Sequence, residues 1–409
     1  MHDTIPINRP VPSSIVRSGP DRGNPTSGSA SRARLETPSA LFNDLVSRVV
    51  GKALPHQEPE FDLDGLQWWF VSTGTLGLLV FLLYALLMAA SHSLLWALAS
   101  LPAMPVLLIA VTGRFRTQQV TFAHHAVHHA VSKRWRKSNR WLAHITTAIS
   151  LSQNPDEYRH DHVKIHHCKP KFTTEEDPDA AFLHQLGFRP GLGKRELYVL
   201  LAKTIVSPSY HLTFLNARFR SSLITCSPMH RRFVLAWMAI LAVTAMSMPF
   251  WVFALSILAP LFPLYHISAL LQFLTEHKWR VTKTGPSDSD DYASRCVGRF
   301  CLVTPPPRGL TGRQAAAAWA VWAIRMIPPL MFRLGVLVGD MPVHDHHHLV
   351  GYLSMEGGSR HELENWTIAV FERQRAINSG ASLGLEERET YDVKSQLEWV
   401  FEGFGHAAM

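Results

Sequence analysis

Two long stretches of the chain carry no charged side chain. Asp, Glu, Lys and Arg are all absent from residues 65–113 and again from residues 233–275. Each stretch is roughly twice the ~20 apolar residues that a bilayer-spanning helix needs. Each also has a break near its middle, at 91–93 and at 247–249. The pattern predicts two transmembrane helical hairpins, with spans at about 67–90, 94–112, 233–249 and 251–274.

The segments outside these hairpins are predicted to lie on one side of the membrane. Residues 1–62 are rich in Ser, Pro, Arg and Gly without helical or strand periodicity, which predicts a disordered N-terminal tail. Residues 63–355 then form the membrane domain, with a mostly helical insert at 131–232 between the hairpins. Residues 356–409 form a C-terminal extension.

A third apolar segment, at 315–338, differs from the two hairpins. It contains Arg325, Arg333 and two prolines. A fifth span would also place the histidine-rich segment that follows it on the opposite side of the membrane. We therefore interpret 315–338 as a helix that lies in the membrane interface.

Composition and charge support a membrane protein with cytoplasmic termini. Hydrophobic residues make up 47% of the chain and charged residues 18%, a low charge content for a soluble protein. Lys and Arg, which give a formal net charge of +8, concentrate at the N-terminus, between the hairpins and after the second hairpin. Because basic loops stay in the cytoplasm, we expect both termini there and the protein in a bacterial inner membrane. No nucleic-acid-binding motif accompanies the basic charge, so we expect no nucleic-acid partner.

Histidine is distributed unevenly along the chain. Thirteen of the 23 histidines lie in four short clusters, at 124–129, 159–167, 276–277 and 344–348. Within the clusters, histidines recur three, four or five positions apart, so on a helix they share a face. Imidazole is a ligand suited to Fe, Zn, Cu and Ni. The clusters therefore predict a metal centre with enough nitrogen for two ions.

The clusters resemble the histidine boxes of the integral-membrane fatty acid desaturase and hydroxylase superfamily. His124–His128 resembles the first box, and Arg159–His167, followed by Asp-Pro-Asp at 177–179, resembles the second. Glu276-His277 resembles the element after the last span, and His344–His348 resembles the third box. The order of the four elements and their position around two hairpins also match that superfamily.

The resemblance implies an all-α membrane protein, with two transmembrane hairpins and a mostly helical cytoplasmic cap that carries the histidine boxes. It also implies two irons, with nine ligands: His124, His128, His162, His166, His167, His277, His344, His347 and His348. The first box has His where Asp is usual, so His125 and His129 remain an alternative register. Candidates to hold the ligating rings from behind are His125, Asp161, Asp177, Glu276 and Asp345.

The function that the resemblance implies is an O2-dependent lipid oxidase, most directly a fatty acyl desaturase that introduces a double bond. A fatty acid or alkane hydroxylase of the same superfamily is the first alternative. A metal transporter is the second, although transporters place ionisable ligands within their spans, where this chain has few. The expected substrate is a lipid or fatty acyl chain.

The chain contains no sequence motif for an electron-transfer cofactor. Its four cysteines form no rubredoxin-type pairs, and no glycine-rich dinucleotide fingerprint occurs. We therefore expect an external electron donor, a ferredoxin, rubredoxin or cytochrome that is reduced by an NAD(P)H reductase.

Overall fold

The computed structural model describes residues 27–132, 134–135, 137–356, 365–380 and 384–405. The described residues are mostly helical, and a small sheet among them pairs β1 (Gly298–Arg299) with β2 (Glu389–Thr390) in parallel. The helices of the N-terminal half are α1 (Ser27–Arg34), α2 (Ala40–Val50), α3 (Gly65–His92), α4 (Leu94–Ser100), α5 (Ala103–Thr117), α6 (His124–Val127), α7 (Ser138–Ser150), α8 (Pro155–Tyr158), α9 (Pro178–Gln185), α10 (Lys194–Ile205) and α11 (Pro208–Phe219). The remaining helices are α12 (Pro228–Met246), α13 (Phe250–Phe253), α14 (Ala259–Leu261), α15 (Pro263–Glu276), α16 (Ser289–Ser294), α17 (Gly312–Gly335), α18 (His344–Glu356), α19 (Ala369–Asn378) and α20 (Val393–Gly405).

Several helices continue through segments of π-helix or are joined by short turns. The π-helical segments are Gln118–Ala123, Arg159–His166, Arg220–Ile224 and Ala254–Leu258. Short 3-10 turns occupy Met341–Val343, Trp366–Ile368 and Leu385–Glu387. The predicted insert at 131–232 is helical as expected, since it contains α7 to α11.

Among the described residues, four continuous helical segments are long and apolar enough to cross a membrane. They are Gly65–His92, Pro228–Met246, Phe250–Glu276 and Gly312–Gly335. A bent pair, Leu94–Ser100 with Ala103–Val127, passes the same criteria together but bends by 55°. Three of the four predicted spans therefore coincide with continuous apolar segments, whereas the span predicted at 94–112 is broken. The side of the membrane on which each segment ends stays a prediction.

The helix α17 covers the segment predicted to lie in the interface. It packs against α5, where a Cβ on Gly113 would lie 1.9 Å from the carbonyl oxygen of Leu334, so only glycine permits this approach. Its length and composition would allow a span. However, Arg325 is exposed near its middle, and a charged side chain facing the hydrocarbon core is costly. Arg325 therefore favours the interfacial position.

The predicted disordered tail is wrong for residues 27–62. Ser39 caps α2 by accepting from the backbone N–H of Phe42 (3.2 Å), and the buried Arg32 donates to Asn43 O and Ser47 Oγ (both 2.9 Å). The segment is ordered because its polar groups bond to one another, a source of stability that polar composition does not reveal. Residues 1–26 lie outside the described part.

The C-terminal helix α20 closes the fold beside the histidine clusters. It packs on α15 and α10 and shares a buried apolar core with Trp279, two residues after His277. The strand pair β1–β2 joins the segment after α16 to the segment before α20. The segments β2 and α20, which follow the third histidine cluster in sequence, thus pack beside the elements that surround the clusters.

Candidate metal centre

The structure brings the four histidine clusters together in two groups. In each group, one possible ligand atom from every residue lies within 4.8 Å of the others. The first group is His124, His128, His162 and His347, and the second group is His166, His277, His344 and His348. Each group draws on residues that are distant in sequence, so the groups exist only in the folded chain.

Three helical segments build the first group. The helix α6 and the residue that follows it carry His124 and His128, the π-helical segment Arg159–His166 carries His162, and α18 carries His347. The Nε2 atoms of His124 and His347 are 3.0 Å apart. Nε2 of His128 is buried and has no hydrogen-bond partner among the described residues, as expected for a nitrogen that faces a metal.

The second group lies beside the end of α15. The Nε2 atoms of His344 and His348 are 3.1 Å apart. His277 donates from Nδ1 to the backbone carbonyl of Arg295 (3.3 Å), and its buried Nε2 has no partner in the described part of the chain. This hydrogen bond fixes the ring and leaves Nε2 for a metal.

His167 lies between the two groups. Its Nε2 is 3.0 Å from Nε2 of His162, and its ring stacks on that of His348 with centroids 4.3 Å apart. Both contacts follow from the π-helical segment Arg159–His166, in which the His167 N–H bonds to the His162 carbonyl (3.0 Å). Such widened turns often occur at functional sites.

The nitrogen spacing suits metal coordination. A metal–imidazole bond is about 2.1 Å long, as known for zinc, so two rings at right angles on one ion have nitrogens about 3.0 Å apart. Three Nε2–Nε2 pairs, His124–His347, His162–His167 and His344–His348, are separated by 3.0, 3.0 and 3.1 Å. Without an ion or a shared proton between them, facing lone pairs at this distance would repel.

Most of these imidazoles are held in the neutral form that binds metals. Burial first, and then neighbouring imidazoles, lower the pKa of His128, His162, His167, His344 and His348 well below the usual value. His166 differs: burial lowers its pKa, but the carboxylates of Asp177 and Asp179 raise it, to about 9.

Several polar groups hold the rings from behind. Asp177 accepts from Nδ1 of His166 (3.0 Å). Glu276 instead contacts Nε2 of His344 (3.1 Å), the same nitrogen that faces His348, so this carboxylate lies on the inner side of the ring. His125 pairs with Asp340 (2.9 Å) and stacks on Trp366. Three of the five predicted supporting residues, Asp177, Glu276 and His125, therefore lie beside the centre, and His125 supports it instead of joining a group.

The other two predicted supporting residues have different partners. Asp161 contacts Gln153 (2.6 Å) and the exposed His160 (3.1 Å), neither of which belongs to the groups. Asp345 pairs with the guanidinium of Arg373 (2.9 Å). The structure does not bring either carboxylate to one of the nine rings.

The alternative register of the first cluster is not favoured. His129 is exposed and has a positive φ of 60°, and it joins neither group. His124 and His128, by contrast, both belong to the first group. The turn at His129 carries its ring away from the centre.

Three residues beside the centre were missed by sequence reasoning. Asp179 lies with His162 and His166 in a third possible ligand group, and its signal was the Asp-Pro-Asp after the second cluster. Tyr292 contacts Nδ1 of His348 through its hydroxyl (3.0 Å), and Asp340 pairs with His125. The last two are isolated in sequence, so nothing marked them.

Removal of the Tyr292 hydroxyl tests whether its contact with Nδ1 of His348 helps this histidine to bind metal. In Tyr292→Phe we expect an about tenfold lower affinity for the metal, because the ring of His348 loses the group that orients its Nδ1. Titration of the metal-free protein with iron(II) measures this, with Tyr84→Phe on α3 as a control tyrosine that belongs to neither group. Equal affinities in both variants would contradict it.

A small cavity reaches both groups. It has a volume of about 100 Å³ and is lined by His124 and His162 of the first group and by His166 and His344 of the second. A larger cavity of about 870 Å³ adjoins it. The residues that line both are Gln119, Gln153, Asp179, Phe214 and Phe273. The large cavity and the histidine-lined cavity therefore meet at these five residues.

Comparison with known families identifies the chain. The model of the fatty acid desaturase family matches residues 99–305, about half of the chain, and the chain belongs to that family. No curated protein and no solved structure matches it. The family match contains the first two clusters and Glu276-His277, whereas the third cluster, at 344–348, lies beyond it and is brought to the same centre by the fold. Membership makes this protein an oxidoreductase of the desaturase and hydroxylase type.

Proposed function

We propose that the protein is a membrane-bound, O2-dependent diiron lipid oxidase, and that it desaturates a fatty acyl chain. The observation that carries the proposal is the pair of four-histidine groups on one cavity. Apolar helices next to the groups would bring a lipid substrate to them. Family membership supports this class of reaction.

Each histidine group is proposed to hold one iron. His124, His128, His162 and His347 bind one, and His166, His277, His344 and His348 bind the other. His167 lies between them and is proposed as the ninth ligand. When bound, the irons supply the oxidant that O2 and two electrons form, a reaction that no side chain performs alone.

The residues of the chain position the substrate and exclude water. Phe214 and Phe273 line both cavities and would contact the acyl chain where it approaches the histidines. Lys203 lines the large cavity and a neighbouring surface groove that contains Arg189 and Arg195. These cations suit an acyl chain with an anionic group at its end.

Product analysis tests the reaction. Desaturation removes two hydrogens from the acyl chain, and O2 with two electrons and two protons becomes two waters. Hydroxylation instead adds one oxygen to the chain and releases one water. Expression of the wild type should give new unsaturated fatty acids by mass spectrometry, and His166→Ala should give none. Hydroxylated products would favour the alternative enzyme, and identical lipids in both strains, with bound zinc, would favour metal transport.

Narrowing the large cavity should change the preferred chain length. Ala217 lines this cavity from α11 and is exposed. Ala217→Phe is expected to reduce kcat/KM for long acyl chains by about tenfold relative to short ones, because the ring would take the space of the far end of a long chain and each methylene left unburied costs about 0.8 kcal/mol. The control is Leu212→Phe, which places the same ring at an exposed position of the same helix. Equal chain-length profiles for wild type and Ala217→Phe would place the substrate elsewhere.

The electrons are proposed to come from a separate ferredoxin, rubredoxin or cytochrome. The possible metal-binding groups among the described residues contain no cysteine, so they provide no iron–sulfur site. We also propose that the centre and both termini face the cytoplasm of a bacterial inner membrane, where such carriers are available.

A further inference from the structure

Another cavity is separate from the two cavities beside the histidines. It has a volume of about 450 Å³ and shares no lining residue with them. Its walls come from the beginning of α3, the ends of α5 and α17, and the segment at 366–371. The ends of three long apolar helices therefore meet at this cavity.

Four residues that line this cavity each have a buried polar atom without a partner. Trp68 Nε1, Ser72 Oγ, Thr121 Oγ1 and Asp340 Oδ1 are all buried without a hydrogen bond to any described residue. Buried polar groups in folded proteins are nearly always paired. Four such atoms around one cavity indicate a polar occupant, and the three from Trp68, Ser72 and Thr121 are donors that suit oxygen atoms.

The charges around the cavity favour an anion. Arg114 has no hydrogen bond or ion pair from its side chain to the described part of the chain, and it lines the cavity. Arg333 uses its donors on backbone carbonyls, among them those of Val49 and Gly339 (3.1 and 2.8 Å). Arg48 is already paired with Asp44 (2.6 Å). Asp340, the carboxylate of the lining, is bonded to His125 through Oδ2. Arg114 is therefore the cation of the lining whose side chain has no partner among the described residues.

The surroundings of the cavity suit a lipid. Phe70 and Val71, beside Trp68 on α3, are 62% and 52% exposed, and Ile327, one turn before the lining residue Leu330 on α17, is 53% exposed. Exposed apolar side chains on membrane helices contact acyl chains. An occupant with a phosphate and two acyl chains would satisfy the polar cavity and cover these surfaces together.

We propose that this cavity binds the head group of a phospholipid. Its phosphate lies at Arg114 and accepts from Trp68, Ser72 and Thr121. A hydroxyl or ammonium donor of the same head group bonds to Asp340 Oδ1, whose partner oxygen Oδ2 holds His125. This site is independent of the lipid that is oxidised.

Lipid binding to the full-length protein tests the proposal. The protein is purified in detergent and titrated with phosphatidylglycerol, whose glycerol hydroxyl can donate, and bound lipid is counted by native mass spectrometry. We expect one tightly retained phosphatidylglycerol in the wild type and an about tenfold weaker affinity in Arg114→Gln. Trp68→Phe keeps the ring but removes the donor, and we expect it to weaken binding as well. Arg325→Gln, an exposed charge on α17 outside the cavity, should bind like the wild type.

Each other outcome has a defined meaning. Equal weakening by Arg114→Gln and Arg325→Gln would overturn the site in favour of general surface charge. Equal binding by wild type and both cavity variants would place the lipid outside this cavity and overturn the proposal. Saturable stabilisation of the wild type by inorganic phosphate alone, without retained lipid, would assign the site to a free anion. Phosphatidylcholine, which has no donor in its head group, should bind more weakly, and equal affinity would contradict the role of Asp340.

Discussion

His277→Ala is expected to remove iron from one group and to abolish product formation. The Nε2 of His277 is buried and has no partner in the described residues, and its Nδ1 is held by the backbone. Its ring also packs on Phe172 and Trp279, with centroids 4.8 and 5.2 Å away, so the thermal unfolding of the variant is measured to separate loss of packing from loss of the metal. We expect bound iron to fall from about two ions per chain to about one, and turnover to fall by at least about a hundredfold. Metal analysis of the purified protein and fatty acid analysis of the expressing cells measure the two effects.

A variant in the first group tests whether each group holds its own iron. His128→Ala removes the corresponding unpartnered Nε2 from the first group and should also leave about one iron. The double variant should then bind almost none. His160→Ala is the control, because its side chain is 59% exposed and lies in neither group. Loss of iron in His160→Ala, or full iron content in both single variants, would contradict the two-group arrangement.

The sequence predicts which histidines lie close together within a cluster, because spacing along a helix determines which residues share a face. Histidines four positions apart, such as His124 and His128, share a helical face whatever the rest of the fold. The long uncharged stretches likewise predicted apolar helices, which the structure contains. The choice of nine imidazoles came from the resemblance of the four clusters to histidine boxes, before any contact between the clusters was known. Their division into two groups of four, with His167 between, could not be predicted, because it depends on how α6 and α18 meet.

The missed features share a physical cause. The π-helical turn at Arg159–His166 changes which histidines face each other, and spacing for an ideal α-helix does not predict it. Tyr292 and Asp340 reach the rings from segments without any motif. The helices α1 and α2 were predicted as a tail because their stability comes from specific polar contacts. In each case tertiary contacts, and not local pattern, decide the structure.

Asp345 is a further residue whose partner is set by tertiary contacts. Its position beside His344 suggested support for a ring, but its carboxylate receives Arg373 from α19. Arg373 also pairs with Glu389 (2.9 Å), and Glu389 pairs with Lys52 (2.5 Å). All four side chains are at most 4% exposed. This network ties the third histidine cluster to residues before the first span and after α19, all outside the range of the family match.

Removal of the Arg373 charge should lower the free energy of unfolding of the protein. Arg373→Met leaves Asp345 and Glu389 buried with only Lys52 as a cation, and breaking such a buried network costs about 3–5 kcal/mol. We expect a free energy of unfolding lower by about that amount, measured by denaturant unfolding, together with partial loss of iron because α18 is no longer anchored. Arg373→Lys keeps one charge and should recover part of both. The matched control is Arg375→Met, two residues along the same helix, whose pair with Glu58 is 44% and 69% exposed. An exposed pair contributes at most about 1 kcal/mol, so a similar loss in both variants would show that the network does not anchor the third cluster.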